Sequence, residues 1–400
     1  MNRMRRDFPG ILRKASFRDL NLRAGNLVNF DRNMTMTRQA IFSEIALLCL
    51  LIFSSTGQIV GQTPEMTVKI KVKERTLVGQ PLAYDGSQLA LLKRDGRWST
   101  YPVKSEADIK KVSDKFKPYD SEALREKLQR EFGGKYQVSK TGNFVVVHPN
   151  GNYSVWAMPF EQLFQRFKNY FTSRGFELSE PEFPMVAVVL RTRKEFDKFL
   201  RVYHQYDSNI LGYYSQRSNR IITYDPSGGR SQKKDWAFNS TLIHEAAHQT
   251  AFNVGIHNRF GLESRWVSEG LAMLFEAKGV NNSMFYSKQK DRINKDRLRM
   301  MKYYYSKGRA SGKLKGMIAN DNLFKSDGSM AYSLAWATTF YLTEKYPRQY
   351  FKYLKADAAR DDFTVLSANQ RLKQFKKFFG SDIAGHEANL EKFVKSLDHQ

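Results

Sequence analysis

Cysteine is all but missing from this chain of 400 residues; the only one is Cys49. It falls inside an apolar stretch that reads as an export signal, so the mature chain would carry none. Disulfides and cysteine-ligated zinc are both excluded there, and an exported protein can do without disulfides. Histidine is nearly as scarce, at seven residues, so a His-based site must come from a small set. Acidic residues are outnumbered, 40 Asp and Glu against 65 Lys and Arg, for a formal net charge of +25. Such a surplus favours anionic partners, but the basic residues are spread along the chain and accompany no recognised nucleic-acid motif. The expectation is diffuse solubilising charge, with an anionic envelope surface as a partner and no specific nucleic acid. Long repeats, low-complexity runs, phosphate-binding glycine loops and Cys/His clusters are also lacking.

What is present is enough apolar and aromatic material, 41% and 14% of residues, for a sizeable core, so the chain is not disordered overall. Its length suggests two domains and a processed terminus. Residues 1–61 read as an N-terminal extension and signal peptide. A basic start over Met34–Gln39, with Met34 or Met36 as the candidate first residue, leads into an apolar region over 41–53 and then Ser54, Ser55 and Gly57. The apolar core Ile45–Phe53 is shorter than the ~20 residues that span a bilayer. The expectation is an exported protein; the rival is a chain anchored in the membrane by an uncleaved N-terminal segment.

Residues 62–106 read as a small β-rich module. Val68-Lys69-Ile70-Lys71-Val72 alternates with period two, and Tyr84-Asp85-Gly86-Ser87 and Arg94-Asp95-Gly96-Arg97 supply Asp-Gly turns. Residues 107–135 are charged and read as a helical linker. From Tyr136 the pattern is α+β. Buried-type strands at Phe144–Val147 and Met185–Leu190 alternate with helices over Phe160–Phe171 and Lys194–Tyr203, followed by a hairpin over Leu211–Tyr224 turning at Ser218-Asn219. Asp225–Arg230 reads as a loop. A basic helix over Ser287–Lys307, with Met300, Met301, Tyr303 and Tyr304 as its core stripe, opens an all-helical C-terminal part over 284–397. His148, His204, His386 and His399 stand alone and read as structural or surface residues.

The chemistry concentrates in Thr241-Leu242-Ile243-His244-Glu245-Ala246-Ala247-His248-Gln249-Thr250, one helix spanning 240–253. Positions i and i+4 share a helix face, so His244 and His248 can present two imidazoles to one metal ion. Glu245 is placed to work on a metal-bound water rather than to ligate, the H-E-x-x-H arrangement. Catalytic zinc needs a third protein ligand. Ala251 and Val254 stand where one large class carries Gly and His, so that pattern fails. His257 lies just beyond Gly255, a helix C-cap by type. The better third ligand is Glu269, a lone carboxylate in the apolar helical run Arg265–Phe275 (helix expected over 265–277), where burial demands a partner.

With these residues in view, the sequence resembles the gluzincin metallopeptidases, whose third ligand is a Glu on a later helix. Ser268-Glu269-Gly270-Leu271-Ala272 resembles their Asn-Glu-Gly-x-Ala signature, and the interval from His248 falls in their usual range. More broadly, residues 136–397 resemble an uncharacterised bacterial secreted family with His-Glu-Ala-x-His and Trp-x-x-Glu-Gly-x-Ala helices. The resemblance implies a zincin-like domain over 136–397, Zn2+ held by His244, His248 and Glu269, and Glu245 as general base. It also implies Tyr332, in Ala331-Tyr332-Ser333-Leu334-Ala335-Trp336, as an oxyanion donor. In zincins the strand before the zinc helix is an edge that pairs with extended substrate, which here would be the second strand of the hairpin. The aminopeptidase branch holds its substrate's amino terminus with a Glu on that strand; residues 212–225 contain none. The N-terminal module resembles a small envelope domain of the SLAP-homology kind, a compact β-barrel.

The leading expectation is a secreted zinc metallopeptidase, an endopeptidase, acting on a peptide or protein substrate. The alternative is a non-catalytic basic envelope protein that binds polyanions and keeps a structural or vestigial zinc site.

Overall fold

The computed structural model describes residues 65–202, 210–226 and 240–397. The segment read as an export signal, residues 227–230 of the expected loop, His204 and His399 lie outside them. The chain divides into two compact units. One takes the residues up to Pro159 together with Phe183–Trp236; the other takes Phe160–Glu182 and Ala237–Gln400. The secondary structure is α+β, β-rich toward the N-terminus and helical toward the C-terminus. No helix among the described residues is long and apolar enough to cross a membrane.

In the first unit, β1 (Thr67–Val72), β2 (Arg75–Tyr84), β3 (Gln88–Leu92), β4 (Trp98–Pro102) and β5 (Lys110–Ser113) form an antiparallel sheet, order β4-β3-β2-β1-β5. Alternation in β1 buries Val68 and Ile70 and exposes Lys69 and Lys71. Gly86 and Gly96 turn the hairpins at φ 93° and 78°, where a side chain would be strained. Two expectations need correcting. β5 lies inside the segment read as a helical linker; helix begins only with α1 (Ser121–Phe132), capped by Asp120. Lys110 and Lys111 hide the strand, because an exposed edge is protected by charges that erase its apolar period. Among the described residues no pairing joins β4 to β5, so the sheet stays open where the resemblance implied a closed barrel.

The second sheet of this unit comprises β6 (Tyr136–Lys140), β7 (Phe144–Pro149), β8 (Met185–Leu190), β9 (Gly212–Ser215) and β10 (Arg220–Tyr224), order β6-β7-β8-β10-β9. β7, β8 and β10 run parallel. Strands buried on both faces explain the unbroken Val145-Val146-Val147 and Val186–Leu190 runs. The chain leaves β7 through the one-turn α2 (Tyr153–Trp156) and α3 (Met158–Thr172), and leaves β8 through α4 (Arg193–Val202). Leu124 and Leu128 of α1 and Phe196 and Leu200 of α4 pack with Val145, Val147, Val186 and Val188. A third correction follows. β10, expected to be an edge, pairs on both sides, Arg220 lying opposite Val186 and Ser215. The turn at Asn219, φ 55°, folds β9 outward, so β9 is the edge.

The second unit is helical: α3 joins α5 (Ser240–Asn253), α6 (Arg265–Phe275), the one-turn α7 (Lys278–Asn281), α8 (Lys295–Ser306), α9 (Lys313–Ala319), α10 (Asn322–Ser326), α11 (Gly328–Lys345), α12 (Pro347–Ala358), α13 (Ala368–Phe379) and α14 (Ile383–Ser396). α5 ends as its sequence predicts. Gly255 adopts φ 78°, and the N–H groups of Ile256 and His257 return to the Ala251 carbonyl. The basic helix is shorter than its composition suggested. Asn294 caps α8 by accepting from the Arg297 N–H, and the buried stripe is Leu298, Met301, Tyr304 and Tyr305, with Tyr303 48% exposed. Two contacts fix α6. A side chain at Gly270 would stand 2.2 Å from Thr339 Oγ1 and 2.7 Å from the Ala335 carbonyl, so α11 crosses against bare backbone. At the far end, Phe167 of α3 stacks on Phe275 with ring centroids 4.5 Å apart, and Tyr170 meets it edge-on at 5.1 Å.

Candidate metal centre

Helix α5 buries Leu242, Ile243, Ala246, Ala247 and Ala251 and leaves His244, Glu245 and His248 half-buried. The two imidazoles share one face as their spacing requires, with ring centroids 4.6 Å apart. Glu269, one turn into α6, points back at them. His244 Nε2 and His248 Nε2 are 3.1 Å apart; Glu269 Oε2 is 3.3 Å from the first and 3.5 Å from the second. Among the described residues these three form the one His/Asp/Glu group compact enough to hold a metal ion.

The triangle can be tested against an ion. Zinc bonded at 2.0–2.1 Å in a tetrahedron sets its ligand atoms about 3.3–3.4 Å apart, and the three edges here bracket that separation. Hydrogen bonding alone explains the triangle less well, because two Nε2 atoms and a carboxylate oxygen aim at one point. The donor set, two imidazole nitrogens and one carboxylate oxygen, suits a divalent ion. The residues fit the group.

Electrostatics agree with that grouping. Burial pushes the His244 imidazolium toward losing its proton, but hydrogen bonds with Glu269 and Glu276 outweigh it and hold the pKa up at about 10. Burial likewise opposes ionisation of Glu269, yet both imidazoles hold its carboxyl well below the usual carboxylate range.

Glu276 escaped the sequence reading. Its Oε1 lies 2.9 Å from His244 Nδ1, and its Oε2 accepts from Asn294 Nδ2 at 2.7 Å. A carboxylate on the far ring nitrogen keeps a proton on Nδ1, so an ion would displace only the Nε2 proton and bind the lone pair freed there. The signal was available, since Glu276 follows Glu269 by two helical turns and so shares its face.

The other predicted residues distribute as follows. Glu245 follows His244 on α5 without joining the triad, and its charge helps raise the pKa of both His244 and Tyr332. Tyr332, on α11, is tied to the site through Arg265. Its hydroxyl accepts from Arg265 Nη2 at 2.8 Å, and Arg265 Nε lies 3.6 Å from Glu269 Oε1. Burial raises the Tyr332 pKa, so the phenol keeps its proton. His257 is elsewhere, its Nδ1 facing Glu263 Oε2 at 2.8 Å with both side chains almost fully buried. His148 is structural as expected, bonded to Ser139 Oγ and the Pro149 carbonyl.

Residues 239–364 match the model of a family described as a protein of unknown function, DUF1570. The matched segment contains both ligand helices, Glu276, Asn294 and Tyr332. No curated protein matches the chain.

Proposed function

We propose that this chain is an exported zinc-dependent peptidase of the gluzincin type, with a zincin-like catalytic unit and an anionic envelope surface as its surroundings. One observation carries the reading. His244, His248 and Glu269 converge with edges of 3.1, 3.3 and 3.5 Å, while Glu276 occupies the outer nitrogen of His244 at 2.9 Å. A zinc ion held by the three would lower the pKa of a water and polarise a substrate carbonyl.

The remaining work falls to the chain's own residues. The Glu245 carboxylate accepts the water's proton and returns it to the leaving amine. The Tyr332 hydroxyl accepts from Arg265, which leaves its own proton to donate toward the charge developing on the substrate oxygen. Glu276 and Asn294 hold the His244 ring in the tautomer that ligation needs. Without a glutamate over 212–225 to hold an amino terminus, endopeptidase action is favoured.

Elemental analysis of the purified chain should find about one zinc per molecule, and Glu269→Ala or His244→Ala should remove it. Glu245→Gln should keep the zinc and slow hydrolysis of a peptide library at least ~100-fold. Undiminished turnover in that variant would sink the mechanism.

A further inference from the structure

Two guanidinium groups flank Tyr332, and only Arg265 has been given a part in that chemistry, through its bond to the Tyr332 hydroxyl. Arg265 opens α6 with its backbone N–H on Asp321 Oδ1 at 3.1 Å, a carboxylate that Arg371 also grips. Its guanidinium lies over the Phe324 ring at 4.8 Å and donates to Tyr332 Oη at 2.8 Å. Arg297, in the first turn of α8, stands 5.6 Å from the Tyr332 ring centroid, the same separation as Arg265. It is half-buried, and among the described residues no carboxylate pairs with it. Two cations therefore converge on one aromatic ring, and that ring belongs to the residue assigned to the substrate's carbonyl oxygen.

The charges are unevenly matched: Arg265 has Glu269 and Asp321 nearby, whereas Arg297 pairs with no carboxylate among the described residues. Arg265 reaches Glu269 only at 3.6 Å, through Oε1, while Oε2 faces the imidazoles. A divalent ion among the three ligands would draw on that carboxylate and leave Arg265 less compensated. Arginine does not escape by losing its proton. Each guanidinium carries five N–H donors in a fork that matches a carboxylate. Arg265 gives one to Tyr332, and Arg297 gives none to an acid.

We propose that Arg265 and Arg297 form a subsite for a substrate carboxylate next to the scissile bond, so that the preferred substrates are peptides acidic at that point. The shared chemistry is a carboxylate; it can come from a free C-terminus or from an Asp or Glu side chain. The proposal rests on the peptidase reading of the same centre. Asn294 links the two functions structurally: its Nδ2 steadies Glu276 behind His244, and its Oδ1 caps the helix that carries Arg297.

The test is calorimetric titration of the zinc-supplemented Glu245→Gln chain with three acetylated peptides. These are tetra-alanine with a free C-terminus, tetra-alanine amide, and the amide with Glu at its third position. Either acid-bearing peptide binding at least tenfold tighter than the plain amide supports the subsite, and the tighter of the two names the source. Arg297→Gln should abolish that preference, and Arg297→Lys should restore only part of it, since an ammonium cannot form the fork. Equal affinities, no binding by any peptide, or a preference that survives Arg297→Gln overturns the subsite. Hydrolysis by the unaltered chain separates the two levels. Cleavage indifferent to the carboxylate removes the subsite and keeps the peptidase; no cleavage of any peptide removes both.

Discussion

At the residue scale, the His244, His248 and Glu269 triad depends on groups outside it. His244 is gripped at Nδ1 by Glu276, which Asn294 steadies in turn. Such outer partners typically carry 10- to 100-fold in metal affinity. Glu276→Gln should weaken zinc by about that factor while leaving one site per chain, as measured by competition with a chromophoric chelator; an unchanged affinity would dismiss the role. The triad itself was legible, because a helix fixes the geometry of His244 and His248 and because Glu269 interrupts an apolar run. Glu276 was legible in principle from its two-turn interval. Asn294 was not. Its bond to Glu276 depends on how the backbone turns between residues 277 and 293, and no periodicity encodes that path. Tyr332 was found by resemblance, but Arg265 and Arg297, which frame its ring, carry no signal in a chain so rich in arginine.

At the scale of elements, the crossing of α6 and α11 explains the glycine beside the ligand. Gly270 is there for close approach, with Thr339 and Ala335 where a methyl would stand. Gly270→Ala should destabilise the fold by about 1–3 kcal/mol through overpacking and should also loosen metal binding, because Glu269 is the adjacent residue. Thermal denaturation with and without zinc would check this; a variant as stable as the parent would mean that the helices separate freely. The helices were read within a few residues wherever a 3.6 period runs undisturbed, as in α3, α4 and α6. They were misread where a cap overrides composition, as at Asn294 in front of α8. Two strand readings failed for a different reason, while those at β1, β7 and β8 held. β5 is an edge whose lysines suppress alternation, and the position of β10 inside the sheet is set by a parallel partner, β8, far away in sequence.

At the scale of the whole molecule, the first unit carries a buried ion-pair network. In it, Asp95 pairs with Arg97 at 2.7 Å and Lys127 at 3.4 Å, and Glu131 of α1 pairs with buried Arg220 of β10 at 2.7 Å. Burial alone would raise both carboxyl pKa values. The surrounding cations, Arg97 foremost for Asp95 and Arg220 for Glu131, instead hold Asp95 well below the usual range and Glu131 at about 2. Both folded values lie below the unfolded ones of about 3.9 and 4.3. Their stabilisation is therefore complete above about pH 4.3 and drains away as pH falls toward 2. Urea midpoints measured from pH 6 down to pH 2.5 should drop, and Glu131→Gln should start lower and fall less steeply. Parallel curves would show that the network contributes nothing. Nothing in the sequence announced it, since the partners come from a turn, a helix and a strand separated by more than a hundred positions.

The stack of Phe167 and Tyr170 on Phe275 has an implication for how this protein is made. Helix α3 is synthesised between two strands of one unit, yet its aromatic face belongs to the other, whose helices arrive much later from the ribosome. Until then Phe167, Tyr170 and Phe171 lack the Phe275 and Phe351 rings they pack against, and a nascent chain in that condition invites a chaperone to keep it extended. Cutting the chain before residue 239, as the borders of the matched segment would suggest, should yield a fragment that keeps all three ligands but leaves the end of α6 unsupported.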